Sequence, residues 1–308
     1  MQLSITDILF ESGKPEEARV YPSSSGDLDL YDFIKGLHDK VQELADDVVD
    51  YNIAHENHLF RGHKQLTSNE GSFHALRRSF EKPMPFSDLK MPTSLAQTLL
   101  DESLCKGGLV LLSGMTGTGK STTLASLLSE RLNLFGGMAV TIENPIEIIL
   151  AGSHGKGFCI QSSVSTEEET HTALRGSLRC FPSKQKQGIV MIGEIRDGYT
   201  ATHALNSALS GHIVLTTIHG TDIIPALRRI VAMASKVSGE EEARSLLSET
   251  LRVAIHQRYE NGIHKYTMLA NKDTASSVSQ HIATGAMEKL STAIQQQANN
   301  ALSGDKLW

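Results

Sequence analysis

Several features that mark whole classes of protein are scarce in this sequence. Aromatic residues make up only 5% of it, tryptophan occurs once, and the net charge is −6. Surfaces that bind nucleic acid usually carry a basic footprint, so we expect no direct nucleic acid partner. The three cysteines, Cys105, Cys159 and Cys180, are widely spaced and form no C-x-x-C motif. This spacing excludes a disulfide framework and a cysteine-based zinc site.

Long apolar runs and sorting signals are also missing. No segment approaches the roughly 18 consecutive apolar residues of a membrane-spanning helix. Residues 1–7 show no charged region followed by an apolar one, as a secretory leader would. We therefore expect a cytoplasmic protein that reaches a membrane only through a partner.

The sequence does contain a glycine-rich motif at residues 114–121. It reads Gly-Met-Thr-Gly-Thr-Gly-Lys-Ser and matches G-x-x-x-x-G-K-[ST] at every fixed position. The apolar run at residues 109–112 predicts a buried strand before it, and residues 122–131 carry apolar side chains at helical spacing after it. Such a loop turns backbone N–H groups toward anionic oxygens at a helix N-terminus. The motif predicts that the chain binds a nucleoside triphosphate.

The chemistry of a triphosphate assigns roles within this motif. Lys120 is expected to reach the β- and γ-phosphates, and the Ser121 hydroxyl to ligate Mg²⁺. The whole loop is expected to hold the phosphates through Gly114, Thr116, Gly117, Thr118, Gly119, Lys120, Ser121 and Thr122.

Hydrolysis also needs carboxylates that position Mg²⁺ and the attacking water. Glu147 lies in the segment 141–147, after a strand candidate at residues 138–142, and Glu194 follows the apolar run 189–192. In open α/β sheets, residues just past the carboxyl ends of strands face the ligand crevice. Either glutamate alone would more often be a solvated loop charge or a helix cap. Two of them behind a phosphate-binding loop favour catalytic roles for both, and Glu194 is also a candidate metal ligand.

Histidines offer one further candidate. His219 closes the strand candidate at residues 213–217, where it is expected to sense the γ-phosphate, although a histidine at a strand end is more often structural. His55, His58 and His63 lie near one another in sequence. A metal site would need further ligands that the sequence does not supply.

The length of 308 residues suggests about two domains. Residues 1–80 combine strand candidates with an amphipathic helix over residues 27–49, for which Asp27 is a suitable N-cap. Three prolines in residues 81–92 predict an extended linker.

The rest of the chain predicts a larger domain. Strand candidates that recur between helical stretches in residues 93–235 predict an α/β fold with a parallel sheet covered on both faces. Residues 236–308 are expected to be mostly helical, with one strand at residues 266–269 and a partly disordered tail from residue 295.

Taken together, these segments resemble the bacterial secretion or traffic ATPases of type II secretion, type IV secretion and type IV pili. The resemblance rests on the phosphate-binding loop and on three further boxes. These are an acidic box at residues 143–147 that ends in Pro-Ile-Glu, Gly-Glu-Ile-Arg-Asp at residues 193–197, and Gly-His-x-Val-x-x-Thr-x-His at residues 211–219. A Leu-Arg-x-x-Leu-Arg-x-x-Pro segment at residues 174–182 also matches.

The resemblance implies a RecA-like ATPase core behind an N-terminal PAS-like α+β domain, with ATP and Mg²⁺ as cofactors. It implies a homohexamer that is peripheral to the inner membrane through a membrane platform or secretion-system proteins. It also implies that an arginine of the mobile N-terminal domain or of a neighbouring subunit completes the site. Arg61 is the first candidate, and Arg77 and Arg78 are alternatives.

Two departures qualify the resemblance. Asn144 stands where the acidic box usually has aspartate, which argues against metal binding at that position. The Ala-Ile-Arg-Asn-Leu-Ile-like signature of pilus-retraction members is not recognisable, and its nearest counterpart is residues 276–282. The chain therefore looks PilT-like in its boxes but is closer to the Dot/Icm and conjugation branch.

Three alternatives stay open at this point. A RecA-like nucleic-acid translocase would explain the phosphate-binding loop but not the other boxes together. A nucleotide-gated scaffold without hydrolysis would be expected to lack Lys120 or Glu194, and both are present. A nucleoside kinase would need a lid-like arginine cluster that clamps an acceptor, which the sequence does not show.

Overall fold

In the computed structural model of the chain, the residues divide into two compact units. The first comprises Met1–Lys82 and Asn144–Ile149, and the second comprises Pro83–Glu143 and Leu150–Trp308. The residues that the structure describes are 5–21, 28–45, 48–68 and 71–302.

The first unit is an antiparallel sheet with one helix. Its elements are β1 (Asp7–Glu11), β2 (Lys14–Tyr21), α1 (Leu28–Gln42), β3 (Asp50–His55), β4 (His58–Leu66) and β5 (Ser72–Arg78). The five strands are ordered β2-β1-β5-β4-β3. Ile8 and Phe10 alternate with less buried neighbours along β1, so one face of the sheet is apolar. This face forms the core together with Phe33, Leu37 and other apolar side chains of α1.

The predicted elements of this unit are found with shifted bounds. The helix expected to reach residue 49 ends at Gln42, and the chain enters β3 at Asp50, a strand that the sequence analysis missed. The expected cap Asp27 lies outside the described residues.

A short segment from the middle of the chain completes the first unit. Phe80 donates its backbone N–H to the Glu147 carbonyl over 2.9 Å, and Ile149 donates to the Phe80 carbonyl over 2.9 Å. The Ser79 hydroxyl donates to the Ile146 carbonyl over 3.0 Å. The residues that follow β5 are therefore held by backbone pairing to Asn144–Ile149.

The second unit is built on one large sheet. Its strands are β6 (Gly108–Gly114), β7 (Gly137–Glu143), β8 (Gly152–His154), β9 (Gly157–Ser163), β10 (Gly188–Ile192), β11 (Ile213–His219), β12 (Leu251–Glu260) and β13 (Ile263–Ala270). Its helices are α2 (Thr93–Leu99), α3 (Lys120–Phe135), α4 (Glu167–Ser177), α5 (Gly198–Leu209), α6 (Ile223–Ser238), α7 (Glu240–Thr250), α8 (Ser277–Ala283) and α9 (Leu290–Leu302).

The eight strands are ordered β13-β12-β6-β11-β10-β7-β9-β8. All pairs from β12 to β9 are parallel, whereas the edge strands β13 and β8 pair antiparallel with their neighbours. Every residue of β6 and β10 is buried, as expected for strands covered on both faces. The predicted α/β class and the four predicted strands within β6, β7, β10 and β11 are confirmed.

Three segments of this unit differ from the sequence expectation. The linker predicted over residues 81–92 contains a 3-10 turn at Phe86–Leu89 that buries Phe86 and Leu89. The region after residue 236 is not simply helical, because β12 joins the sheet beside β6 and carries β13 at the edge. The tail expected to be partly disordered forms α9 as far as Leu302.

Candidate active site

The phosphate-binding loop connects β6 to α3. Gly117 and Gly119 adopt φ angles of 80° and 84°, a left-handed region that other residues seldom occupy. Gly119 is the N-cap of α3, and no side chain caps the first turn of that helix. The N–H groups of this turn that have no partner within the helix therefore point toward the loop, where they can donate hydrogen bonds to an anion.

Lys120 begins α3 and is 9% exposed. Its ammonium group donates to the carbonyls of Gly114 and Met115 over 3.0 and 2.9 Å. The side chain thus bends back over the loop, as the predicted contact with β- and γ-phosphates requires. Ser121 is exposed on the first turn of α3, where its hydroxyl is accessible to a metal ion.

The remaining predicted loop residues lie around this centre. Thr118 is buried, and its hydroxyl donates to the Met115 carbonyl over 2.9 Å. Thr116 is exposed at the turn of the loop, and Thr122 is half-buried in the first turn of α3. The loop has the donors and the glycine turns that a triphosphate needs.

The buried residue Gln257 supports the loop from β12, and the sequence analysis missed it. Its amide nitrogen donates to the Thr118 carbonyl over 2.6 Å, and its amide oxygen accepts from the Thr123 hydroxyl over 2.8 Å. A Cβ on Gly114 would lie 2.4 Å from the Gln257 carbonyl oxygen, so β12 passes too close for any other residue there. No local signal identifies Gln257, because its role depends on the pairing of β12 with β6.

Glu194 and His219 form a pair at the carboxyl ends of two adjacent strands. A carboxylate oxygen of Glu194 lies 3.0 Å from His219 Nε2, and the second oxygen accepts from Arg196 Nε over 2.9 Å. The Glu194 side chain is 18% exposed. Parallel pairing of β11 with β6 aligns His219 with Gly114, so this pair lies beside the phosphate-binding loop.

Backbone contacts fix the turn that carries Glu194. Ile195 donates its N–H to the Thr217 carbonyl over 2.9 Å, and the Thr217 hydroxyl donates to the Gly193 carbonyl over 2.7 Å. Asp197 then caps α5 by accepting from the backbone N–H and the hydroxyl of Thr200, both over 2.8 Å.

Glu143 supplies a second carboxylate to this edge of the sheet. It is 7% exposed and ends β7, whose Ile142 aligns with Ile192 of β10. Its carboxylate accepts from the Thr141 hydroxyl over 2.7 Å and from the Gln161 amide over 2.8 Å. The sequence analysis named Glu147 as the acid of this box and ended the strand at residue 142, whereas β7 continues through Glu143.

Glu147 and Arg61 lie together in the first unit. Arg61 Nη1 donates to a Glu147 carboxylate oxygen over 3.0 Å, and both side chains are nearly half exposed. Of the five residues predicted to act in catalysis, Lys120, Glu194 and His219 therefore belong to the second unit and these two to the first. The alternative Arg77 bonds to Asp7, with Nε 2.6 Å from Oδ1.

Two absences concern the described part of the chain. No group of three or more histidine, cysteine, aspartate or glutamate side chains comes together there as a cage for a metal ion. None of the helices within residues 28–302 that the structure describes is long and apolar enough to span a bilayer.

Comparisons with known proteins show what the whole chain is similar to. The profile of a family described as Type II/IV secretion system protein matches residues 51–299. Over 155 residues the chain is 38% identical to the type IV pilus retraction ATPase PilT of Pseudomonas aeruginosa, and over 158 residues it is 37% identical to the type IV pilus ATPase PilU of that organism. These matches cover 49% and 50% of this chain, but only 42% and 38% of the two relatives.

Solved structures share the fold over nearly the whole chain. A crystal structure of the pilus retraction motor PilT with bound ADP is similar at a TM-score of 0.74 and 25% identity, covering 96% of this chain and 87% of that one. The ATPase DotB of Legionella pneumophila has the same fold at a TM-score of 0.69 and 24% identity, covering 95% of this chain and 84% of that one.

Proposed function

Because the chain belongs to the type II/IV secretion system protein family, we propose that it is an ATPase that drives a secretion or pilus machine. The observation that carries this proposal is the Glu194–His219 pair. The pair lies beside the phosphate-binding loop, because His219 of β11 is in register with Gly114 of β6. A nucleotide-gated scaffold would need the loop but not a carboxylate held at this position. The pilus relatives that match half of the chain are themselves named as ATPases.

Each predicted site residue of the second unit has its own role in the proposed reaction. Backbone N–H groups of the loop and Lys120 hold the β- and γ-phosphates of ATP, and Ser121 ligates Mg²⁺. Bound Mg²⁺ supplies positive charge to the phosphate oxygens. Glu194 orients the attacking water and accepts its proton, while His219 holds the Glu194 carboxylate and contacts the γ-phosphate side of the site. Glu194 is also the first candidate for binding Mg²⁺ through water.

The first unit is assigned a gating task. Its antiparallel sheet with α1 between β2 and β3 supports the PAS-like assignment, and the second unit is assigned as the RecA-like core. Arg61 and Glu147 are proposed to act on the triphosphate when the units close, with Arg61 supplying positive charge to the transition state. In the structure the two side chains neutralise each other. Closure must then exchange this ion pair for contacts with nucleotide and Mg²⁺.

The assembly and the machine are further parts of the proposal. We propose a homohexameric ring in the cytoplasm that docks on inner-membrane platform or secretion-system proteins of a type IV secretion, conjugation or type IV pilus system. Light scattering at micromolar protein concentration with nucleotide tests the ring. A strict monomer with full activity would contradict it, whereas a dimer in the absence of nucleotide would not.

Lys120→Ala tests the proposed activity directly. The variant should hydrolyse no ATP, because it lacks the ammonium group that stabilises the negative charge on the β- and γ-phosphate oxygens during phosphoryl transfer. Lys106→Ala is the matched control, because Lys106 is an exposed lysine that ends a 3-10 turn before β6. Phosphate release is measured with and without nucleic acid. Turnover by Lys120→Ala at the rate of the control would refute the site, and activity that appears only with nucleic acid would favour a translocase.

A further inference from the structure

One face of the hairpin formed by β12 and β13 carries a row of aromatic and amide side chains. Tyr266 pairs with Gln257 and His264 pairs with Tyr259 in the antiparallel register. Side chains two residues apart on a strand share a face, and directly paired residues do as well. Gln257, Tyr259, His264 and Tyr266 therefore lie on the same face, here termed the hairpin face.

The hairpin face is in contact with the phosphate-binding loop. Gln257 donates to the Thr118 carbonyl and accepts from the Thr123 hydroxyl, which fixes one end of the face against the loop and α3. A Cβ built on Gly119 would lie 3.2 Å from His264 Nε2 and 3.2 Å from the Gln257 amide nitrogen. His264 therefore lies directly against the residue that precedes Lys120, and Tyr259 follows one step further from Gln257.

The rings on this face form an ordered array. The centroids of Tyr259 and His264 are 4.9 Å apart, and those of His264 and Tyr266 are 6.3 Å apart. Tyr266 is anchored because its hydroxyl donates to the Leu89 carbonyl over 3.1 Å. Tyr259 is 55% exposed. Packing within the hairpin thus leaves part of the Tyr259 ring open to solvent.

Three charged residues near the turn of the hairpin bind one another. Lys265 lies 2.8 Å and Arg258 3.6 Å from carboxylate oxygens of Glu260. The cations of this segment are thus engaged locally by an acid. The chemistry that remains on the hairpin face is flat and largely uncharged, which suits a π-system better than a phosphate group.

We propose that Tyr259 and His264 form the stacking platform for the nucleobase of the triphosphate whose phosphates occupy the loop. This inference rests on the proposed function, since it concerns the same nucleotide. The loop fixes the phosphates at Gly119 and Lys120, and the adjacent rings receive the base at the other end of the ligand. A purine base should bind more tightly than a pyrimidine, because its two fused rings offer a larger stacking area to these side chains.

Binding of two probes tests the platform. MgATP carries a base and magnesium tripolyphosphate does not, so their affinities are compared by calorimetry for wild type, Tyr259→Ala and Tyr259→Phe. Tyr259→Ala should weaken MgATP binding by about tenfold, the effect typical of one lost stacking partner, and leave tripolyphosphate binding unchanged. Tyr259→Phe should retain MgATP affinity because it keeps the ring. Ile263→Ala is the control, since Ile263 is 64% exposed on the opposite face of the same hairpin.

The outcomes separate this inference from the proposed function. If Tyr259→Ala and His264→Ala bind and hydrolyse MgATP as wild type does, the platform is wrong and the ATPase assignment stands. Equal affinity of wild type for MgATP and tripolyphosphate would also overturn the platform alone. If wild type binds neither probe, both proposals fail. In steady-state kinetics the platform variants should raise KM and leave kcat unchanged, because a base contact is the same in the ground and transition states.

Discussion

Arg61 and Glu147 are separated by 86 positions in the sequence, yet Arg61 Nη1 lies 3.0 Å from a carboxylate oxygen of Glu147. Both residues are predicted to act on the triphosphate, but in the structure they form an ion pair with each other. Such half-exposed ion pairs contribute about 0–1 kcal/mol to stability. Their loss should therefore leave the fold intact and reveal any role in turnover.

We expect Arg61→Ala to lower kcat by about tenfold to a thousandfold with little change in ATP affinity, because the cation would act mainly in the transition state. Glu147→Gln should also lower kcat. If the two act as a unit, the double variant should be no slower than the more impaired single variant. Steady-state ATPase assays and equilibrium ATP binding measure both quantities. Wild-type kcat in both single variants would show that the pair is only a surface contact.

Mixed assemblies test whether Arg61 acts on a neighbouring subunit. In this proposal, subunits with Lys120→Ala are inactive alone, and subunits with Arg61→Ala have a strongly reduced kcat. In a mixed ring, an intact Lys120 can lie beside an intact Arg61 of the adjacent subunit, so partial activity should return. If the mixture stays inactive while both variants still assemble, Arg61 either acts on the nucleotide of its own subunit or has only a structural role.

Glu194→Gln should bind MgATP with wild-type affinity and lower kcat by at least about a hundredfold. The amide keeps the size of the side chain but cannot accept a proton from water. Glu288→Gln is the matched control, because Glu288 is an exposed glutamate paired only with Arg228 among the ion pairs described, at 3.4 Å. Single-turnover phosphate release and nucleotide binding separate the two effects. Normal single-turnover rates in Glu194→Gln would remove Glu194 from the chemistry.

Gln257→Leu should weaken both the fold and the phosphate-binding loop. The change leaves the buried Thr118 carbonyl and Thr123 hydroxyl without these partners, a loss of about 1–3 kcal/mol in the free energy of unfolding. Thr123→Val removes one of the two contacts and provides a double-mutant cycle. Urea unfolding measures stability, and calorimetry with MgATP measures the loop. Additive effects of the two substitutions on stability would show that the hydrogen bond between them contributes nothing.

The elements around the nucleotide were predictable because their signals are local. The apolar run of β6 predicts a buried strand, and the glycines at 117 and 119 predict the loop that follows it before the helix. The contacts of Gln257 with the phosphate-binding loop were not predictable. A polar residue in a charged segment reveals neither the strand β12 nor its place beside β6. Glu143 was missed for a similar reason. Sequence alone did not show that β7 continues through Glu143 and that the chain then enters the first unit.

The free energy of unfolding should fall as the pH drops below about 6.5, and His74 should account for part of this. His74 is 3% exposed, and burial lowers its pKa from 6.5 to about 4. Between these values the unfolded chain binds a proton that the folded chain does not. The folded state therefore loses up to about 3 kcal/mol from this residue as the pH falls from 6.5 to 4.

His74→Gln should flatten the pH dependence of unfolding between pH 7 and 5 compared with wild type. His63→Gln is the control, because His63 is exposed on the neighbouring strand β4. Urea unfolding of all three proteins across this interval provides the comparison. A wild-type slope in His74→Gln would show that His74 takes up its proton in the folded protein. Because Tyr51 and the hydroxyls of Ser12 and Ser72 surround the imidazole, stability at pH 7 serves as the baseline for each variant.

The segment Asn144–Ile149 makes the two units inseparable by a single cut. The backbone crosses between them after Lys82, after Glu143 and after Ile149. A chimaera that replaces residues 1–82 with the corresponding part of a relative would place a foreign residue at position 80, opposite the native Glu147 and Ile149 whose backbone groups pair with Phe80. An exchange of the complete N-terminal unit therefore includes residues 144–149 as well as residues 1–82. Recombination within residues 81–92 alone would combine the N-terminal part of one parent with residues 144–149 of the other.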